Sequence, residues 1–216
     1  MSEGCASCRG ACCRDVVVRV SMFDMWRISR ALALPFCEIV DPCSDDTCGD
    51  GSLALDVSDD RYLTVLRRAA RDDSACAFLM RVGDVTSRCG IYAARPEICD
   101  AYPFELVRGA IDLRSDVRCE PDAWNFATLD YRALRTRHER YLDEWDAHAR
   151  ATAVFSYQPG ARDVATAFAR YLALCETLCE RTVVADDGAT RTRFALEHIV
   201  ELARDVVASG LRTFST

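Results

Sequence analysis

Residues 5 to 13 read Cys5-Ala6-Ser7-Cys8-Arg9-Gly10-Ala11-Cys12-Cys13, four cysteines spaced C-x2-C-x3-C-C. A Cys-x2-Cys step lets the chain fold in a tight loop so that both thiolates converge on one ion. The first thirteen residues are mostly small and show too little periodicity for a stable helix or strand, so they are expected to need an outside constraint, which a metal would supply. The adjacent pair Cys12-Cys13 adds a geometric point. Neighbouring Cα atoms are about 3.8 Å apart, and in extended chain their side chains diverge. The simplest arrangement then sends the two sulfurs to different partners, as two metal centres or one multinuclear cluster require.

The whole chain has 216 residues and 13 cysteines. That length buries a proper hydrophobic core, so the cysteines are not needed to replace one. Half the residues are hydrophobic and 28% are charged, ordinary globular usage that argues against both a disordered chain and a membrane protein. The start, MSEGCASC, has neither the basic residues nor the apolar run of a signal peptide, so a cytoplasmic address is expected. In a reducing compartment disulfides do not persist, and closely spaced cysteines then point to metal ligation or redox chemistry. The formal charge of -7 gives no basic field for a nucleic-acid backbone, although every basic residue is arginine.

The pattern along the chain predicts an α+β fold. An irregular cysteine-rich metal-binding part with short strands, hairpins and a helix occupies residues 1–121, and a helical C-terminal part occupies 122–216. Val16 to Val18 read as a short strand. Ser21 followed by Asp24 marks a helix start, and that helix is expected from about Met22 to Leu34, before Pro35. Residues 35–52 read as an acidic loop bearing Cys37, Cys43 and Cys48. Alternation over 53–66 predicts a hairpin turning near 58–60. A second hairpin is expected with arms at 76–80 and 89–92 and its turn near Gly83-Asp84. Pro96 starts a short helix ending before Pro103, and Gly109 splits a hairpin of 104–107 and 111–113. Beyond Pro121, helical spacing predicts helices over about 124–153, 161–181 and 190–209, with a break at Gln158-Pro159-Gly160.

Four thiolates on one divalent zinc leave about two units of negative charge to be offset by hydrogen bonds and cations. Arg9, Arg14, Arg88 and Arg118 each stand next to a cysteine and are candidates for that role. Cys175 and Cys179 share one face of a helix, where apolar core cysteine is the commoner case. Cys37, Cys43 and Cys48 are read either as an accessory site or as a surface loop. His138, His148 and His198 are expected to be ordinary helix residues.

CASCRGACC, then Cys76-Ala77-Phe78-Leu79, then RCGIYAARPEICDAYPF from Arg88 to Phe104, then Cys119, resemble the YkgJ-like cysteine-cluster proteins, zinc- or iron-chelating domains named for a CxxCxxCC motif. The resemblance covers about residues 5 to 120. It implies that Cys5, Cys8, Cys12, Cys13, Cys76, Cys89, Cys99 and Cys119 are the metal ligands. Tyr92, Arg95, Pro96, Tyr102 and Pro103 match the family's accompanying residues. Two departures stand out: three residues, not two, separate Cys8 from Cys12, and Asp100 stands where the family often has arginine.

The expected cofactor is zinc or iron, including an iron-sulfur cluster; the expected partners are metal ions and a protein partner or protein substrate, with no nucleic acid and no membrane. The sequence is compatible with three functions. The chain is a carrier of metal or an iron-sulfur centre, or a structural zinc module presenting a protein-binding surface. The third is an enzyme, because some members of the resembled family are named flagellin lysine N-methylases, which implies methyl transfer from S-adenosylmethionine. The sequence has no glycine-rich nucleotide loop to support that site.

Overall fold

The structure is a computed structural model that describes residues 9–44, 55–57, 60–69, 72–82, 86–119, 126–156, 163–184 and 192–210. It is α+β, with short antiparallel strand pairs and a helical C-terminal part. The chain divides into two compact units, one built from residues 1–18 and 66–142, the other from 19–65 and 143–216.

In the first unit, α1 (Ala11–Asp15) packs against β5 (Asp72–Cys76), which pairs with β4 (Arg68–Ala69). A helix here departs from the expectation that this segment stays irregular. Its turn is set by Gly10, whose φ of 76° lies in the left-handed region and whose carbonyl accepts from Cys13 N–H at 3.1 Å. A Cβ at Gly10 would lie 2.8 Å from Leu79 Cδ1, so glycine also permits close packing on the next hairpin. That hairpin is β6 (Leu79–Val82) with β7 (Thr86–Cys89), in a register that sets Cys89 opposite Leu79. Its arms differ from the expected ones by up to three residues; residues 83–85, where the turn was placed, lie outside the described residues. After the 3-10 turn Tyr92–Ala94 comes α4 (Glu97–Ala101), with Pro96 as its N-cap rather than its first residue. The last hairpin, β8 (Phe104–Val107) with β9 (Ala110–Leu113), turns through Arg108 and Gly109, both at positive φ as a two-residue turn requires.

Helix α5 (Tyr131–Ser156) begins later than expected; its residues 131–142 belong to the first unit. There they anchor α4. Arg140 Nη2 meets Glu97 Oε1 at 2.8 Å, and Arg137 Nη1 lies 3.3 Å from Asp100 Oδ2.

In the second unit, α2 (Met22–Leu32) opens with a complete capping box. Asp24 N–H donates to Ser21 Oγ at 3.2 Å and Ser21 N–H donates to Asp24 Oδ2 at 3.0 Å. The helix stops at Ala33, which takes a left-handed conformation ahead of Pro35. The stretch read as a loop instead holds α3 (Phe36–Ile39) and β1 (Val40–Ser44), because Ile39 and Val40 are buried and anchor it. Strand β1 joins β3 (Asp60–Leu66), which pairs with β2 (Leu55–Val57) in the expected hairpin. Val16 to Val18 form no strand; Arg19 alone bridges Val65. The remaining helices are α6 (Val164–Thr182) and α7 (Ile199–Ala208), the latter shorter than expected because Phe194 is drawn into an extended bridge with Val183.

The second unit's core contains Phe23, Met25, Ile28, Leu174 and Leu178, all essentially inaccessible to solvent. A polar group is buried within it. Arg27 Nη1 donates to Glu144 Oε2 at 2.9 Å, and its Nη2 also meets that carboxylate. His148 Nδ1 accepts from Met22 N–H at 3.2 Å, while its Nε2 lies 3.3 Å from Tyr171 Oη. No helix among the described residues is long and apolar enough to cross a membrane.

Candidate metal centre

Of the eight cysteines singled out in the sequence, Cys5 and Cys8 lie outside the described residues. Cys12 and Cys13 sit on α1, Cys76 ends β5, Cys89 ends β7, Cys99 is the central residue of α4, and Cys119 follows β9.

The Cys12 and Cys13 sulfurs are 4.0 Å apart. They converge, against the expectation of divergence, because α1 is helical where extended chain was assumed. With zinc–sulfur bonds of about 2.3 Å, a tetrahedral thiolate shell has an edge of about 3.8 Å, so the pair fits two corners of one shell.

Cys13 has electropositive surroundings. Its thiol is lowered to about 7, first by the hydrogen bond with Cys12 and further by Arg14 and Arg95, against an opposing cost of burial. Arg14 is fixed by a 3.3 Å bond from Nη2 to Ser87 Oγ on β7. Cys76 behaves in the opposite way: burial pushes its thiol up to about 11, and the nearby Cys13 and Cys89 sulfurs add to the rise. Tyr102 marks the other flank. Arg118 N–H donates to its hydroxyl, and its pKa is raised by burial and by the neighbouring Cys119 and Cys12. Electrostatic influence thus links Cys76 with Cys13 and Cys89, and Tyr102 with Cys12 and Cys119. Among the described residues no three potential ligands stand close enough to hold a metal ion as they are.

Arg95, which the sequence marks only as a residue matching the family, is buried, stacks 3.9 Å over the Tyr92 ring and donates from Nε to Asp100 Oδ1 at 2.8 Å. Asp100, where the resembled family often carries arginine, thus serves as an anion that holds Arg95 and Arg137. The only sequence signal for this was the Arg-Pro step. Of the four arginines proposed to offset thiolate charge, Arg14 is placed to do so; Arg9, Arg88 and Arg118 are exposed.

The remaining cysteines separate cleanly. Cys175 and Cys179 are core residues of the second unit, and burial pushes the Cys175 thiol up to about 12. Cys37 is exposed on α3, Cys43 is disulfide-bonded, and Cys48 lies outside the described residues.

Residues 4–122 match the family model CxxCxxCC, described as "Putative zinc- or iron-chelating domain". The chain belongs to this family. As a CxxCxxCC protein it carries a zinc- or iron-chelating domain in the segment that holds the thiols described above. No curated protein and no solved structure matches it.

Proposed function

We propose that this CxxCxxCC protein binds zinc or an iron-sulfur centre through the thiolates of Cys5, Cys8, Cys12, Cys13, Cys76, Cys89, Cys99 and Cys119. The observation that supports the reading is the 4.0 Å separation of the Cys12 and Cys13 sulfurs, together with the electrostatic influence of Cys13 and Cys89 on Cys76 and of Cys12 and Cys119 on Tyr102. Cys5 and Cys8, a few residues upstream, complete the donor set, and Cys99 joins it from α4. When bound, zinc supplies a cross-link between these loops, whereas an iron-sulfur centre supplies electron transfer. The chain's own part is to bring the sulfurs together, lower the Cys13 thiol toward its ligating form and offset thiolate charge with Arg14 and Arg95. The cytoplasm is the compartment that keeps such thiols reduced. Residues 1–121 form the metal-binding part in this reading, and residues 122–216 its helical C-terminal extension.

The test is anaerobic purification followed by elemental analysis and a visible spectrum. A colourless protein carrying zinc, or a brown one carrying iron and sulfide, supports the reading and identifies the centre. Metal content should fall in Cys8→Ser and in Cys89→Ser; full metal in both, with unchanged melting, removes these ligands from the site.

A further inference from the structure

Tyr102 joins two of the cysteine-bearing segments through one hydrogen bond. It caps the C-terminal end of α4, just beyond Cys99, where its amide donates to the Ile98 carbonyl at 3.1 Å. Its half-buried side chain reaches sixteen positions along the chain, and the hydroxyl oxygen accepts the N–H of Arg118, the residue before Cys119.

The segment that carries Cys119 gains a second anchor from this bond. Beyond β9, residues 114–119 form neither helix nor strand, and Asp116 and Arg118 are exposed. Arg114 N–H donates to the Pro103 carbonyl at 3.0 Å and fixes the start of the segment, while the bond from Arg118 to Tyr102 fixes its far end. A ligand on irregular chain loses backbone freedom when it binds a metal, so a contact that orders it beforehand favours the bound state. Phenylalanine would pack the same ring; only the hydroxyl meets Arg118. The charges of Cys119 and Cys12 also act on that hydroxyl, in keeping with a place at the edge of the thiol cluster.

We propose that Tyr102 is a positioning residue for the metal centre: its hydroxyl, by accepting the Arg118 N–H, holds Cys119 where its thiolate can join the donor set. This inference rests on the reading of Cys119 as a ligand and adds the group that delivers it.

Thiol accessibility in the full chain, purified anaerobically with its metal, tests it, read residue by residue as iodoacetamide incorporation by peptide mass spectrometry. In the wild type Cys119 should be shielded relative to the metal-stripped protein. Tyr102→Phe should raise Cys119 alkylation about five-fold, the weight of one hydrogen bond, while Cys13 and Cys89, carried by other elements, stay shielded. Arg118→Pro deletes the N–H at the other end of the same bond, at an exposed site, and should give the same selective release. Three results would overturn the proposal. Equal shielding of Cys119 in the wild type and in Tyr102→Phe removes the tether and leaves the ligand. Release of Cys13 and Cys89 along with Cys119 shows a general structural role in place of a positioning one. Wild-type Cys119 alkylated equally fast with and without metal removes it as a ligand, and the tether with it. Should Tyr102→Phe fail to fold, Arg118→Pro decides the matter on the same readout.

Discussion

The sulfurs of Cys12 and Cys13, on successive residues of α1, approach to 4.0 Å, and the hydrogen bond between them is the largest influence lowering the Cys13 thiol. Adjacent cysteines in extended chain would not do this. The helical turn makes them a pair, and the pair gives the metal-free protein a distinctive reactivity.

Cys13 should alkylate with a pH midpoint of about 7 in the metal-free protein, because only the thiolate is nucleophilic. Cys76, raised to about 11, should stay unmodified over the same range. Replacing Cys12→Ala removes the hydrogen bond and should move the Cys13 midpoint upward. Peptide mass spectrometry after short iodoacetamide pulses between pH 5 and 9 measures all three; a midpoint unchanged by Cys12→Ala would contradict the assigned cause.

Gly10→Ala should destabilise the first unit. The left-handed conformation at φ 76° costs a residue with a Cβ about 1–2 kcal/mol, and the added carbon also presses on Leu79. Because Gly10 starts the turn that carries both cysteines, metal content should fall with stability. Urea denaturation alongside elemental analysis reports the two effects; a variant with wild-type values for both would show that the left-handed turn is not needed.

Acidification should weaken the second unit through His148, whose pKa is lowered to about 4 by burial. Its ordinary value is 6.5. As the folded value lies below the unfolded one, the unfolded chain takes up the proton first, so stability is full above about pH 6.5 and falls as the pH drops toward 4. Across that window the loss approaches about 3 kcal/mol. In His148→Gln, urea midpoints between pH 7 and 4 should show a shallower slope than in the wild type; equal slopes would assign the acid sensitivity elsewhere.

Much of this arrangement was legible from local pattern. Ser21 and Asp24 announce the capping box of α2, Arg108-Gly109 fits the tight turn of the last hairpin, and apolar spacing marks α5 and α6, because capping, turn geometry and amphipathicity depend on neighbours within a few residues. Cysteine spacing likewise marked the segment that matches the CxxCxxCC family. The misread places are those where distant packing overrides local preference. Helix α1 forms in a stretch with little periodicity because it packs on β5, and β1 forms in a loop-like stretch because it joins β3.

The sequence by itself determined which side chains carry sulfur, where α2 begins, and the family to which residues 4–122 belong. Only the tertiary structure decided that Cys12 and Cys13 converge, that the charge of Arg95 acts on Cys13 across more than eighty positions, and that Arg27 and Glu144 pair inside the second unit's core. Those relations arise from through-space electrostatics and burial, which the order of residues along a chain does not encode locally.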